Sequence, residues 1–175
     1  AYDALPQLSG NNTTVFEQWS KHPTLDTYWD AFSPTQEDYA KLNIPILTIT
    51  GHYDADQKGA MTYFKNHMAH GKKAVTDQHY LVMGPWDHSG TRRPSTKFGG
   101  LTVGDASLVD INGLHLAWYD WILKSKKRPE FLKKRVANFM TGENRWYYED
   151  SLSAHTSTAQ KFYLNSHVDR NSVYN

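Results

Sequence analysis

Residues 44–90 read IPILTITGHYDADQKGAMTYFKNHMAHGKKAVTDQHYLVMGPWDHSG, and the pattern changes twice within them. Residues 44–50 are a short β-branched apolar run, suited to a strand covered on both faces in a parallel sheet, and Gly51 ends it. Residues 57–70 have helical spacing, with Met61, Phe64 and Met68 on one face and Gly71 placed as a C-cap. Residues 78–84 return to a strand. Strand, helix, strand is a βαβ unit, whose crossover is expected to be right-handed.

Upstream, residues 1–14 are loop-like, and Phe16, Trp19, Tyr28, Trp29 and Phe32 supply aromatics expected in core packing. Tyr28, Trp29 and Phe32 share a helix face that Thr24 or Asp26 would cap. Downstream, residues 90–104 read as a Gly-, Thr- and Arg-containing loop. Residues 105–125 read as a long amphipathic helix starting near Asp105 or Ser107. After Pro129 the pattern turns to β formers, at 135–141 and 160–164, so a boundary is expected near 128–134, with an α/β unit before it and an all-β segment after it. That β segment is too short to bury a sandwich core of its own.

The chain has 175 residues, a net charge of +1 and 14% aromatic residues. The near-balanced charge argues against nucleic-acid or membrane-surface binding, which needs a basic stripe. The short basic bunches at 124–128 and 133–135 read as a solvated helix end and a loop. With no cysteine, disulfides, thiolate metal sites and a cysteine nucleophile are excluded. No apolar run approaches the roughly 20 residues of a spanning helix.

In open α/β sheets the functional groups gather at the carboxyl ends of the strands. Asp54 follows the first strand and His88 the second, so parallel pairing brings both loops to one edge. A general base near neutral pH is an imidazole with one ring nitrogen free, and an acid on the other nitrogen fixes its tautomer. Asp54 suits that acid. Asp87 and Ser89 flank His88, but successive side chains diverge, so neither is its partner; Ser89 is expected in a turn or cap. Alternatively, Asp54 or Asp56 caps the following helix. No G-x-S-x-G nucleophile elbow occurs in the chain. A metal site from His67 and His70, one helix face apart by three residues, with His52 and Asp54 nearby, is a competing reading. A non-catalytic module binding sugar or protein through its aromatics and β segment is another. His22 and His115 are read as structural.

HPTLDTYW, IPILTITGHYDADQKGAMTYF, HYLVMGPWDHSGTRRP, LHLAWYDWILK and RVANFMTGENRW, in this order, resemble segments of the cocaine esterase/X-prolyl dipeptidyl-peptidase group of serine hydrolases. That group also takes in α-amino acid ester hydrolases and glutaryl-7-aminocephalosporanic acid acylases. The resemblance implies an α/β fold: the C-terminal part of an α/β-hydrolase domain at 36–128, preceded at 1–35 by the end of a helical cap. The first strands of a jelly-roll β domain follow at 129–175.

The resemblance also implies that Asp54 is the triad acid and His88 the triad base. Tyr53 and Trp86 are candidates to line the acyl pocket, with packing against the sheet as the equal alternative; Arg92 and Arg93 could meet a substrate carboxylate, but a surface loop is the preferred reading. The group's nucleophilic serine and oxyanion donors precede its acid, in a part with no counterpart here. The chain is thus expected to be a C-terminal fragment, inactive alone. The whole protein is expected to cleave an ester, amide or X-Pro peptide without metal or other cofactor. The fragment itself is expected to associate with the missing part or with a second copy.

Overall fold

Strand, helix and strand fall where the apolar pattern puts them. The computed structural model describes residues 14–155, together with Gly10 and Lys161. Three short helices come first: α1 (Thr14–Lys21), α2 (Thr27–Asp30) and α3 (Gln36–Lys41). Strand β1 (Ile46–Gly51), helices α4 (Gln57–His70) and α5 (Lys73–Thr76) and strand β2 (His79–Gly84) complete the βαβ unit. A small hairpin follows, β3 (Lys97–Phe98) and β4 (Leu101–Thr102), then a 3-10 turn at Asp105–Ser107 and helix α6 (Ile111–Lys124). Strands β5 (Val136–Met140) and β6 (Arg145–Glu149) and a last 3-10 turn at Leu152–His155 end the described chain.

The main sheet has the order β1-β2-β5-β6. β1 runs parallel to β2 in a register pairing Ile46 with His79 and Gly51 with Gly84. β5 also runs parallel to β2, with Leu81 opposite Val136, and β6 returns antiparallel to β5. This corrects the boundary expected near 128–134: the strands just after it extend the α/β sheet rather than start a separate β layer. β-forming residues mark a strand but not the sheet it joins. The buried Val136, Ala137 and Phe139 of β5 match a strand covered on both faces. The strand expected at 160–164 lies outside the described residues, apart from Lys161.

All six residues of β2 are buried, and they alternate between two layers. Tyr80 and Val82 pack with Trp86, Ile111, Leu114, Trp118, Leu132 and Ala137 on the α6 side. Leu81 packs with Phe64 and Val136 on the α4 side, where Met61 and Met68 cover them. The sheet is therefore sandwiched between α4 and α6.

Helix α6 starts at Ile111, later than its apolar periodicity suggests, because Asp110 rather than Asp105 or Ser107 caps it, accepting from the Gly113 amide at 2.9 Å. Asp26 caps α2 as expected. The aromatics around it contact one another, Tyr28 with Trp29 and Phe32, and Trp19 with Trp29. Trp19 and Phe32 nevertheless remain exposed, so core packing is not their role among the described residues. The loop expected at 90–104 contains the β3–β4 hairpin, turned by Gly99 and Gly100, both at positive φ as a two-residue type I′ turn requires.

A pair of buried histidines sits under α4. His67 Nδ1 lies 2.8 Å from His79 Nδ1, and His79 Nε2 lies 2.8 Å from Thr48 Oγ1. This corrects the metal reading: His67 is turned into the sheet, and no set of ligand atoms converges on His67 and His70 among the described residues. Gly71 does cap α4, its amide donating to the His67 carbonyl at 2.8 Å. Its φ is negative, so the need for glycine is space: any Cβ there would press on the His67 ring.

Burial, then the neighbouring His67, lowers the His79 pKa to about 3, and burial lowers that of His67. Both rings are thus neutral in the fold and take up protons near their ordinary value once unfolded. Their stabilisation is complete above about pH 6.5 and is lost as pH falls towards 3. Urea melts between pH 7 and 4.5, mostly above the carboxylate range, are expected to show stability falling by up to about 1.4 kcal/mol per pH unit from His79 alone. His79→Gln should flatten that dependence; an unchanged slope would count against it.

Candidate active site

The two loops beyond β1 and β2 are joined by their main chains. The His52 amide donates to the Gly84 carbonyl at 2.8 Å, and the Tyr53 amide to the Trp86 carbonyl at 3.0 Å. Gly51 allows this approach, since a Cβ there would overlap the Trp86 carbonyl oxygen. The carboxyl end of the sheet thus continues two residues past the strands, and Asp54 and His88 project from adjoining loops.

His88 Nδ1 lies 3.1 Å from Asp54 Oδ1. The Asp54 side chain is 6% exposed and that of His88 is 56% exposed. His88 Nε2, the nitrogen that a proton acceptor needs, makes no hydrogen bond among the described residues. The tautomer with hydrogen on Nδ1 is the one that lets the ring donate to the carboxylate. The turn after β1 is tied by the Asp54 amide, which donates to the Gly51 carbonyl at 3.2 Å, and by the Asp56 amide, which donates to Asp54 Oδ1 at 3.0 Å.

The flanking residues go elsewhere. Asp87 Oδ1 accepts from the Gly90 amide at 2.7 Å, closing a turn, and the Ser89 carbonyl accepts from the Arg92 and Arg93 amides. Thr91 Oγ1 donates to the His88 carbonyl at 2.7 Å and braces the loop. Arg92 and Arg93 are exposed and make no ion pair among the described residues.

Tyr53 is half exposed beside Asp54, its ring 4.9 Å from that of Phe98 on the β3–β4 hairpin. Trp86 needs a correction. It is 1% exposed, its ring buried in the α6-side core and its Nε1–H donating to the Ser107 carbonyl at 3.0 Å. A ring so enclosed contacts no substrate. The aromatic character at 86 serves packing, for which glycines at 84 and 90 leave room. His22 stacks on Tyr28 and bonds Asp26, as a structural residue does, whereas His115 is exposed on α6. His52 Nε2 is held by the Phe139 carbonyl at 2.9 Å.

Asp56 was read from sequence only as a helix cap. Its carboxylate makes no cap hydrogen bond, and its Oδ2 lies 3.4 Å from His88 Nδ1. Among the described residues, Asp54, Asp56 and His88 are the one set of three such side chains whose ligating atoms converge, within 4.8 Å. Two acids spaced i, i+2 beyond a strand were the available signal.

The profile of the X-Pro dipeptidyl-peptidase (S15) family matches residues 3–90, which hold both strands and both loops. A crystal structure of an aminopeptidase from the marine sediment archaeon Thaumarchaeota archaeon is similar in fold, with a TM-score of 0.64 and 22% identity. The match covers 79% of this chain and 22% of that one, so the chain spans about a fifth of the aminopeptidase's length. No curated protein matches the sequence.

Proposed function

The chain belongs to the X-Pro dipeptidyl-peptidase (S15) family, and from that premise we propose that it supplies the acid and base of a serine hydrolase acting on ester, amide or X-Pro peptide bonds. The observation that carries this reading is the 3.1 Å contact between Asp54 and His88 Nδ1, with Nε2 bonded to none of the described residues. His88 Nε2 takes the proton of an attacking serine and returns it to the leaving group. Asp54 fixes the tautomer and stabilises the imidazolium formed on the way. Tyr53, beside the pair and against the hairpin, borders the acyl group. Residues 1–35, which include α1 and α2, are on this reading the end of a helical cap.

The serine lies outside this chain, which has no nucleophile elbow and is inactive alone. In the full-length protein a fluorophosphonate probe should attach to one serine, located by mass spectrometry of the labelled peptide. It should also block hydrolysis of X-Pro anilides or aryl esters. Turnover that survives stoichiometric labelling, or a protein that takes no label, would sink the serine mechanism.

A further inference from the structure

We propose that Asp56 is a second carboxylate acting on His88, a positioning residue that shares the imidazolium charge with Asp54. The inference rests on the catalytic reading of His88 given above. At the starts of α2, α3 and α6, the residues Asp26, Thr35 and Asp110 spend their side chains on helix amides. Asp56 stands at the same position before α4, but its backbone is in the right-handed helical region and its side chain makes no such bond. Its Oδ2 instead lies 3.4 Å from His88 Nδ1.

The chemistry gives this placement a use. Asp54 Oδ1 is a divided acceptor, taking the Asp56 amide at 3.0 Å as well as His88 Nδ1 at 3.1 Å. An oxygen already engaged by one N–H offers less to a second. The Asp56 carboxylate restores negative charge on the same side of the ring. The other charged groups near His88 do not duplicate it: Asp87 is turned to the Gly90 amide, and Arg92 and Arg93 pair with none of the three acids. Lys58, the next basic residue along α4, is exposed and forms no ion pair among the described residues. Asp56 is 75% exposed, so its influence is electrostatic and open to screening by salt, unlike that of the enclosed Asp54.

The sign follows from charge. An anion beside Nδ1 stabilises the imidazolium that forms as the ring takes a proton. Asp56→Asn keeps the backbone amide bond to Asp54 and removes only the charge. In the full-length protein at low salt, plateau kcat should fall by about 3- to 10-fold with KM unchanged, because the imidazolium of the transition state loses a counter-charge.

Asp56→Glu should restore most of the lost kcat, and 1 M salt should shrink the gap between wild type and Asp56→Asn. The melting temperature, which an exposed residue hardly affects, serves as the control for folding. A plateau kcat that is unchanged in Asp56→Asn at low salt, while His88→Ala is dead, overturns this proposal and leaves the catalytic pair standing. Full turnover by His88→Ala overturns both.

Discussion

Replacing His88 by alanine in the full-length protein is expected to lower kcat on the order of 10⁴-fold or more while leaving KM within a few-fold. The proton of the attacking serine then has no acceptor, and the leaving group no donor. Asp54→Asn should cost on the order of 10²- to 10⁴-fold, since an amide still accepts from the Asp56 N–H but cannot stabilise the imidazolium as a carboxylate does. The double variant should be hardly worse than His88→Ala, because the acid works only through the base. The His88 side chain is 56% exposed and belongs to neither apolar cluster, so the fold should persist in all three. Hydrolysis of an activated ester, with circular dichroism on the same samples, checks both halves. Residual turnover within tenfold of wild type would show that a different group removes the proton.

The second large effect concerns stability. Trp86→Ala removes a ring that is 1% exposed and packed with Tyr80, Ile111, Leu114 and Trp118. Such a deletion costs about 3–5 kcal/mol, a large share of the roughly 5–15 kcal/mol that holds a domain folded. Trp86→Phe keeps most of the packing and loses the indole N–H bond to the Ser107 carbonyl, an acceptor that still takes the Val109 amide at 3.0 Å. It should cost only about 1 kcal/mol. Urea denaturation reads both values, and KM for Trp86→Phe should match wild type. A changed KM at unchanged stability would return Trp86 to the substrate pocket.

β1 and β2 were legible because buried parallel strands read as short runs rich in apolar and β-branched residues, and both runs end at a glycine. The meeting of Asp54 and His88 was legible for the same reason, since parallel strands bring the loops beyond them to one edge. The place of β5 was not. Its residues announce a strand, and only the pairing of Leu81 with Val136 says which sheet it joins. Trp86 was ambiguous because an aromatic between Pro85 and Asp87 in a loop beyond a strand looks the same whether its ring turns inward or outward. The start of α6 was displaced because Leu108 and Val109 continue the apolar period while the backbone is still leaving a 3-10 turn. Asp56 was hidden by its position: an acid before a helix is usually a cap, and nothing local shows that its side chain is spent on His88.

The main-chain bonds from His52 to Gly84 and from Tyr53 to Trp86 have an evolutionary consequence. The spacing of Asp54 and His88 is carried by atoms every residue possesses, so side-chain changes at positions 52 and 53 leave those two bonds available. The constraint falls instead on position 51, where any side chain would push the two loops apart. Sequence change at this edge of the sheet is therefore cheap beside the glycine and costly at it.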